Sequence, residues 1–282
     1  MNYKRDDALV STDWLAGHLD DADLKVVDGS WYLPAEKRDP KAEYAEAHLP
    51  GAVYFDIDAV ADAASPLPHM FPSAEVFQQA VGTLGIANGD RVVCYDGGSM
   101  TAAGRVWWMF RAFGHQRVSI LNGGSGKWRR EGRPMTAELP EVVGQAYNAT
   151  FDARLVRSVE EVLAIAADGA EQIIDARSAG RFDGTAPEPR AGLRSGHMPG
   201  ACNLPYNDLL ADDGTLKDAD ELAGLFEKSG IGLDKPVVAS CGSGVSATVL
   251  LLGLHVLGHE GGSLYDGSWS EWGSREDTPV VR

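Results

Sequence analysis

The sequence predicts an α/β fold made of two similar domains, each with a mainly parallel sheet flanked by helices. Three observations lead to this prediction. The chain has 282 residues, which is enough for about two domains. Four sequence landmarks occur twice in the same order. Between the landmarks, short runs rich in Val and Ile alternate with longer patterns typical of helices, which favours parallel strands joined by helical crossovers.

The internal repeat predicts the domain organisation. Matching residues of the two copies are separated by 197 − 48 = 149, 175 − 28 = 147, 241 − 96 = 145 and 272 − 128 = 144 positions. Such regular spacing indicates two copies of one domain, at residues 1–138 and 153–282, with a linker over residues 139–152. The matching segments are His48–Ala52 with His197–Ala201, Leu24–Asp28 with Gln172–Asp175, Arg91–Ser99 with Pro236–Gly244, and Leu121–Trp128 with Tyr265–Trp272.

Local signals mark where helices begin. The run Ser158-Val-Glu-Glu161 is a capping box, and Asp218 and Ser73 stand at the start of two further helical patterns. The longest apolar block, Val245–Leu257, includes Ser, Thr and His. A membrane span needs roughly 18 consecutive apolar residues, so this block predicts a buried helix instead.

Charge and the N-terminal segment exclude several partners. The formal net charge is −16, so the chain has no overall basic field for nucleic acid or an anionic membrane surface. The first seven residues carry charges without an apolar run behind them, unlike a secretory signal. We therefore expect a cytosolic protein that binds neither nucleic acid nor membranes.

Cysteine usage narrows the chemistry. The three cysteines, Cys94, Cys202 and Cys241, lie far apart and form no Cys-x-x-Cys pair, so neither a disulfide framework nor a zinc site is predicted. We expect free thiols, and no metal or organic cofactor. Cys94 lies inside a predicted strand, where a cysteine is usually structural.

Cys241 stands in a different setting. It follows the predicted strand Pro236–Ser240 and opens a loop that leads into the buried helix. Ligands of parallel sheets bind at such strand ends. Gly242 and Gly244 permit backbone angles that aim successive amides inward, and a ring of amides at a helix N-terminus stabilises an anion. The loop therefore favours the thiolate, which is the reactive form of cysteine.

Two chemistries fit a cysteine in an anion-binding loop. Cysteine phosphatases need an arginine six positions after the cysteine, and Ala247 stands there, which disfavours a phosphatase. The segments Tyr44–Ala52 and Tyr265–Trp272 resemble the two signatures of the rhodanese superfamily, and the likeness to its two-domain sulfurtransferases spans almost the whole chain. The resemblance implies two tandem rhodanese-like domains, of which the first is inert. Asp96 takes the place of Cys241 in that first copy.

The loop and a second segment separate two activities of this family. Thiosulfate sulfurtransferases usually place basic residues after the cysteine, whereas the loop Cys241-Gly-Ser-Gly-Val-Ser246 resembles that of 3-mercaptopyruvate sulfurtransferases, with Ser where Thr is common. Resemblance in the second segment implies that Arg181 and Arg190 bind the carboxylate and keto group of 3-mercaptopyruvate, for which a planar guanidinium is well suited. Arg177 and Arg194 are close enough in sequence to exchange roles with them.

The resemblance also implies a proton relay near the donor sulfur. Its members would be Ser243 and the first-domain His48, oriented by Asp39. A structural explanation for His48 stays open, because His197 occupies the same His-x-Pro-Gly turn in the second copy and both histidines could brace that turn.

The implied reaction is sulfur transfer through a persulfide on Cys241, with release of pyruvate. A thiol such as thioredoxin or a small thiol, or cyanide, would accept the outer sulfur. The alternatives are a thiosulfate:cyanide sulfurtransferase, a non-catalytic carrier of sulfur or anions, and a structural interaction module, which would need no thiol. The residues expected to hold donor and persulfide through their loop backbone are Gly242, Gly244, Val245, Ser246 and Ala247.

Overall fold

Two five-stranded sheets follow each other along the chain in the computed structural model, which describes residues 2–282. All strand pairs in both sheets are parallel. The strands are β1 (Leu9–Val10), β2 (Leu24–Asp28), β3 (Val53–Tyr54), β4 (Arg91–Tyr95), β5 (Val118–Leu121), β6 (Val156–Arg157), β7 (Gln172–Asp175), β8 (Ala201–Asn203), β9 (Val237–Ser240) and β10 (Gly262–Tyr265).

The two sheets have the same topology. Their strand orders are β1-β5-β4-β2-β3 and β6-β10-β9-β7-β8, so each strand of the first sheet has a counterpart at the same place in the second. This identity confirms the predicted α/β fold with two tandem domains of one kind. In both sheets the central strand, β4 or β9, is followed by a loop and then by a long buried helix.

Helices flank both sheets. Where sequence signals predicted helix starts, the side chains of Ser73, Ser158 and Asp218 cap the first turn, and Ser158 and Glu161 form the full capping box. No helix within residues 2–282 has the length and apolar character needed to cross a membrane. The α-helices are α1 (Thr12–Ala16), α2 (Pro40–Glu46), α3 (Ala74–Thr83), α4 (Thr101–Ala112), α5 (Gly124–Arg130), α6 (Val159–Asp168), α7 (Ala179–Phe182), α8 (Ala219–Lys228), α9 (Ala247–Val256) and α10 (Ser268–Trp272).

Helices α4 and α9 join the two domains. Every residue of α9 is buried, as predicted for the apolar block, and a β-carbon added to Gly104 of α4 would lie 2.6 Å from Oγ1 of Thr248 in α9. Only glycine permits this close approach. One hydrophobic core runs from the first domain through both helices into the second. The loops that precede α4 and α9 therefore come together at one edge of the molecule.

The segment between the domains is extended. Between Arg130 and Ala153 the chain forms neither helix nor strand, and it lies along the first domain, where the amides of Gln145 and Thr150 donate to the carbonyls of Gly82 and Phe113. The linker bounds of 139 and 152 rest on the sequence repeat alone and stay a prediction.

Candidate active site

A cavity of about 290 Å³ lies between the two domains, where the loops before α4 and α9 meet. Both domains contribute to its lining, which includes six residues with reactive, charged or hydrogen-bonding side chains. Within residues 2–282, no three His, Cys, Asp or Glu side chains are grouped so that they could hold a metal ion. The six residues are Trp31, Asp96, Arg181, Arg190, Cys241 and Ser243.

Cys241 lies in the wall of this cavity, directly after β9, and only 1% of its surface is exposed. The other two cysteines are placed elsewhere. Burial raises the pKa of the Cys94 thiol, which lies within β4, well above its usual range. Burial also raises the pKa of Cys202 in β8. Of the three described thiols, Cys241 is the one that a ligand in the cavity can reach.

Most backbone amides of the Cys241 loop are free to bind a ligand. Among residues 2–282 we find no protein acceptor for the amides of Gly242, Ser243, Val245, Ser246 and Ala247. The amide of Gly244 differs from the expectation, because it donates to Oγ of Ser268 at 3.1 Å. Unpaired amides before a helix N-terminus form a site for an anion.

In the first domain, the matching backbone amides bind a carboxylate. Asp96 stands at the position of Cys241, and its carboxylate accepts four backbone N–H groups at N···O distances of 2.8 to 3.2 Å. An anion of the chain itself therefore fills the ring in the first domain, whereas the same ring faces a thiol in the second. The four donors are Gly98, Met100, Ala102 and Ala103, which match Ser243, Val245, Ala247 and Thr248 at the offset of 145.

The Ser268 hydroxyl holds the cysteine loop in place by hydrogen bonds. The sequence alone did not indicate this role. Its Oγ accepts the amides of Cys241 and Gly244 and donates to the carbonyl of Tyr265. Its backbone is left-handed with φ of 50°, and its counterpart Gly124 has φ of 57°. A β-carbon on Gly124 would lie 2.5 Å from the carbonyl oxygen of Asp96, so only the second domain has room for this hydroxyl.

Two arginines supply positive charge beside the thiol. Burial lowers the pKa of Arg190, and the negative charge of a neighbouring Cys241 thiolate would raise this pKa. No carboxylate within residues 2–282 forms an ion pair with Arg190. Arg181 lies against the loop, since a β-carbon on Gly242 would be 2.9 Å from its Nη2, but it also donates to the buried carboxylate of Glu188 at 2.6 Å. Both arginines face the cavity, and Arg190 is the less engaged of the two.

The competing arginines are occupied elsewhere. Arg177 is fully buried, forms ion pairs with Asp175 and Glu188, and lies over the ring of Trp269 at 4.1 Å. Arg194 donates to the backbone carbonyls of Trp272, Gly273 and Thr278. Neither lines the cavity. An exchange of roles with Arg181 or Arg190 is therefore disfavoured by geometry.

His48 and Asp39 do not lie at the cavity. His48 is buried in its turn, with Nδ1 2.7 Å from the carbonyl of Tyr44 and Nε2 3.1 Å from that of Glu138. The Asp39 carboxylate caps helix α2 by accepting the amides of Lys41 and Ala42. This arrangement does not support the expected proton relay through His48 and Asp39. Their polar atoms form hydrogen bonds with the backbone of the first domain instead.

A different histidine and carboxylate of the first domain contact Trp31 in the cavity wall. Nδ1 of His69 lies 2.5 Å from the Asp58 carboxylate, and this close contact with the imidazole holds the pKa of Asp58 below its usual range. Asp58 also accepts from Nε1 of Trp31, which lines the cavity. Nε2 of His69 is buried without a hydrogen-bond partner in residues 2–282. An oriented imidazole with one open nitrogen is suited to proton transfer.

The repeat relates this histidine to the cysteine loop. His69 matches Gly214 at the offset of 145, and Ser243 matches Gly98 at the same offset. A β-carbon on Gly214 would lie 2.8 Å from the carbonyl of Gly98. By the same repeat, the counterpart of this approach in the other half pairs His69 with Ser243, so the repeat predicts that these two residues lie close together. The sequence signal that could have identified His69 is therefore its alignment with Gly214 of the second copy.

Comparison with known proteins agrees with this architecture. The 3-mercaptopyruvate sulfurtransferase of Escherichia coli K12 is 45% identical over 96% of this chain and 96% of its own. The mitochondrial thiosulfate/3-mercaptopyruvate sulfurtransferase 1 of Arabidopsis thaliana is 43% identical over 96% of this chain and 77% of its own. The crystal structure of Escherichia coli SseA, a 3-mercaptopyruvate sulfotransferase of the rhodanese fold, superimposes with a TM-score of 0.85 at 42% identity, covering 93% of this chain and 98% of that one.

The family assignment covers both halves of the molecule. The rhodanese-like domain matches twice, at residues 11–131 and 158–275, and each match contains four of the five strands of one parallel sheet, since β1 and β6 lie just before the respective matches. Both the fold and the position of the cysteine loop agree with these two matches. The chain belongs to the rhodanese family and carries its domain in two tandem copies.

Proposed function

We propose that the protein is a 3-mercaptopyruvate sulfurtransferase that carries sulfur as a persulfide on Cys241. The observation that carries the proposal is the content of one cavity: the Cys241 thiol, a ring of unpaired amides, and two arginines. A thiolate nucleophile needs anion stabilisation, and an α-keto acid donor needs a carboxylate clamp. Relatives at 41–45% identity with this activity in their names support the same donor.

The donor is bound by its two ends. Arg190, which has no ion pair in the described chain, takes the carboxylate, and Arg181 takes the keto oxygen while Glu188 holds its guanidinium in place. The thiol of the donor then points to Cys241 at the mouth of the amide ring. The two positive charges also explain how a chain with a net charge of −16 attracts an anionic substrate, because they act at short range inside the cavity.

The chemical step breaks one carbon–sulfur bond. The Cys241 thiolate attacks the donor sulfur, and a sulfur–sulfur bond forms as the bond from sulfur to the methylene carbon breaks. The bonding electrons pass into the enolate of pyruvate, which is then protonated at carbon. The amides of Ser243 and Ala247 stabilise the negative charge of the resulting persulfide, as the matching amides of Gly98 and Ala102 stabilise the Asp96 carboxylate, and the unpaired amide of Gly242 adds a further donor.

Proton transfer is assigned to Ser243, His69 and Asp58. Ser243 lines the cavity, His69 presents an open Nε2, and Asp58 orients the imidazole through Nδ1. In this arrangement the relay takes the proton of the donor thiol and returns a proton to the enolate. The trio replaces His48 and Asp39 and keeps Ser243 of the original expectation.

The acceptor completes the cycle. A thiol attacks the outer sulfur of the persulfide by thiol–disulfide exchange, or cyanide removes it as thiocyanate. Thioredoxin, a small thiol or cyanide would each serve, and a cytosolic location stays a prediction that suits the first two. Because Cys241 is almost fully covered, the acceptor has to reach it through the cavity.

Thiosulfate is the second candidate donor, since the Arabidopsis relative carries both donors in its name. The absence of a basic side chain in the loop from Cys241 to Ser246 favours mercaptopyruvate. Side-by-side measurement of kcat/KM with both donors, with pyruvate or sulfite as the product and the persulfide detected by mass spectrometry, tests the proposal. A preference for thiosulfate, or persulfide formation without pyruvate release, would overturn it.

A further inference from the structure

Arg105 is a buried cation that binds groups from both domains. It belongs to α4 of the first domain and is 0% exposed. Its Nη1 donates to the carboxylate of Asp266 at 2.7 Å and to the carbonyl of Gly244 in the cysteine loop at 3.2 Å. Its Nη2 donates to the carbonyl of His69, and its guanidinium lies over the ring of Phe71 at 4.3 Å. One side chain thus connects the cysteine loop with the His69 segment.

In the other half of the molecule, apolar and neutral residues stand at the positions that match Arg105 and Asp266. At the offset of 145 the counterpart of Arg105 is Leu250, and at the offset of 144 the counterpart of Asp266 is Asn122. One hydrogen bond of the contact occurs in both halves. The amide of Phe71 donates to Asp266 at 2.7 Å, and the amide of its counterpart Leu216 donates to Asn122 at 2.9 Å.

The asymmetry separates function from stability. On the Asp96 side the matching positions hold a neutral pair, and the ion pair that crosses between the domains there, Lys127 with Asp213, is partly exposed. The domain interface therefore does not need a buried ion pair at this place. Burying two charges has a large desolvation cost, and buried ion pairs are often no more stabilising than apolar residues of similar size. Arg105 and Asp266 occur on the side of the molecule where a thiol replaces Asp96, which points to a role in the reaction.

We propose that Arg105 is a positioning residue, which holds the His69 segment at a fixed distance from the Cys241 loop through its hydrogen bonds to both backbones. The proposal rests on the proposed function, because it assigns His69 a part in that reaction. Arg105 itself does not line the cavity and touches no donor atom. Its effect is therefore expected in the chemical step and not in donor binding.

The test uses a double variant, Arg105→Leu with Asp266→Asn, which reproduces the pair Leu250 and Asn122. Removing both charges avoids a lone buried ion, and Asn keeps an acceptor for the amide of Phe71. We expect kcat with 3-mercaptopyruvate to fall about 100-fold, as a displacement of about 1 Å in a reacting group can cause. KM should stay within about twofold of the wild-type value, because Arg181 and Arg190 are untouched.

Two further variants distinguish positioning from a loss of structure. Arg105→Lys keeps the positive charge but has one donor nitrogen in place of Nη1 and Nη2. It should therefore retain at least about a tenth of the wild-type kcat. Asn122→Ala removes the matching acceptor on the other side of the interface; it should lower the melting temperature but keep the wild-type kcat. If the double variant lowers kcat only as much as Asn122→Ala does, Arg105 is a structural residue and the proposal fails.

The decisive measurement is the coupling between Arg105 and His69. In a chain that already carries His69→Gly, the double variant should lower kcat by no more than about threefold, because the group that Arg105 positions is gone. A further loss of about 100-fold in that background would show that Arg105 acts independently of His69. The wild-type assay keeps the two proposals apart: if wild type releases no pyruvate, the proposed function fails, whereas an active wild type with an equally active double variant overturns the positioning role alone.

Discussion

His69 and Gly214 hold the same left-handed backbone conformation at matched positions of the two domains, with φ of 60° and 78°. Glycine adopts this conformation without cost, whereas a residue with a β-carbon loses roughly 1–2 kcal/mol. The fold is therefore satisfied by glycine at this place, as the second domain demonstrates. A histidine at this position of the first domain costs stability. Its presence therefore indicates a function of the side chain.

Replacing His69 by glycine should separate activity from stability. We expect kcat with 3-mercaptopyruvate to fall by a factor of about 10²–10⁴, the usual contribution of a general acid or base. The free energy of unfolding should change by less than about 1 kcal/mol, since the lost contact with Asp58 is offset by relief of the backbone strain. Steady-state kinetics and urea denaturation measure the two quantities.

His48→Gln is the matched control for this prediction. Its ring nitrogens face two backbone carbonyls, so the substitution should cost stability and leave kcat close to wild type. A large loss of kcat in His48→Gln, with normal activity in His69→Gly, would restore the relay expected from the sequence.

Cys241→Ser should abolish sulfur transfer, because a hydroxyl at this place cannot form a persulfide. Cys94→Ser and Cys202→Ser should keep the chemistry, since burial raises the pKa of both thiols. After treatment with the donor, mass spectrometry of peptides should find one additional sulfur, about 32 Da by elemental mass, on the Cys241 peptide. Persulfide on either of the other peptides would contradict the assignment.

Arg190→Ala should weaken the use of 3-mercaptopyruvate more than that of thiosulfate. Loss of a desolvated charge pair costs about 2–5 kcal/mol, which corresponds to a decrease in kcat/KM of about 30- to several-thousand-fold. Arg181→Ala should act in the same direction and also reduce stability, because it leaves the buried Glu188 with one cation fewer. Arg154→Ala, at an exposed arginine that pairs with Asp152, serves as the control. Equal losses with both donors would indicate that the arginines support the fold alone.

Ser268→Ala should loosen the cysteine loop. The substitution leaves the amides of Cys241 and Gly244 without their acceptor, and one unsatisfied buried donor costs about 1–3 kcal/mol. We expect a lower urea midpoint at an unchanged m-value, together with a reduced kcat. Ser274→Ala, which removes an exposed hydroxyl, should change neither quantity. Wild-type kcat in Ser268→Ala would show that the hydroxyl does not shape the reactive loop.

The fold was predictable because its evidence is local and occurs twice. The near-constant offsets between the copies require two similar domains, and the capping residues at Ser73, Ser158 and Asp218 mark helix starts by short-range hydrogen bonds. The Cys241 loop was predictable for the same reason, since the strand, the glycines and the following helix are contiguous in sequence.

The first domain's contribution to the site was not predictable in this way. His48 belongs to a recognisable turn, which drew attention to it, whereas His69 lies in an irregular segment without a motif. The repeat places His69 opposite Ser243 only once α4 packs on α9, where Gly104 approaches Thr248, 248 − 104 = 144 positions later in the chain. Similarly, only the folded chain shows that Glu188 holds Arg181 and that Ser268 takes the amide of Gly244.

The carboxylate of Asp96 is a ligand that the first domain cannot release. Because it is attached to the chain and accepts four backbone amides, it competes as an intramolecular ligand against free sulfate, thiosulfate or phosphate. Of the two matching amide rings, the one at Cys241 is therefore open to an anion from solution, and it carries one sulfane sulfur at a time. Inhibition by simple anions should accordingly follow a single-site isotherm, and occupancy of that site by sulfur and by an inhibiting anion should be mutually exclusive.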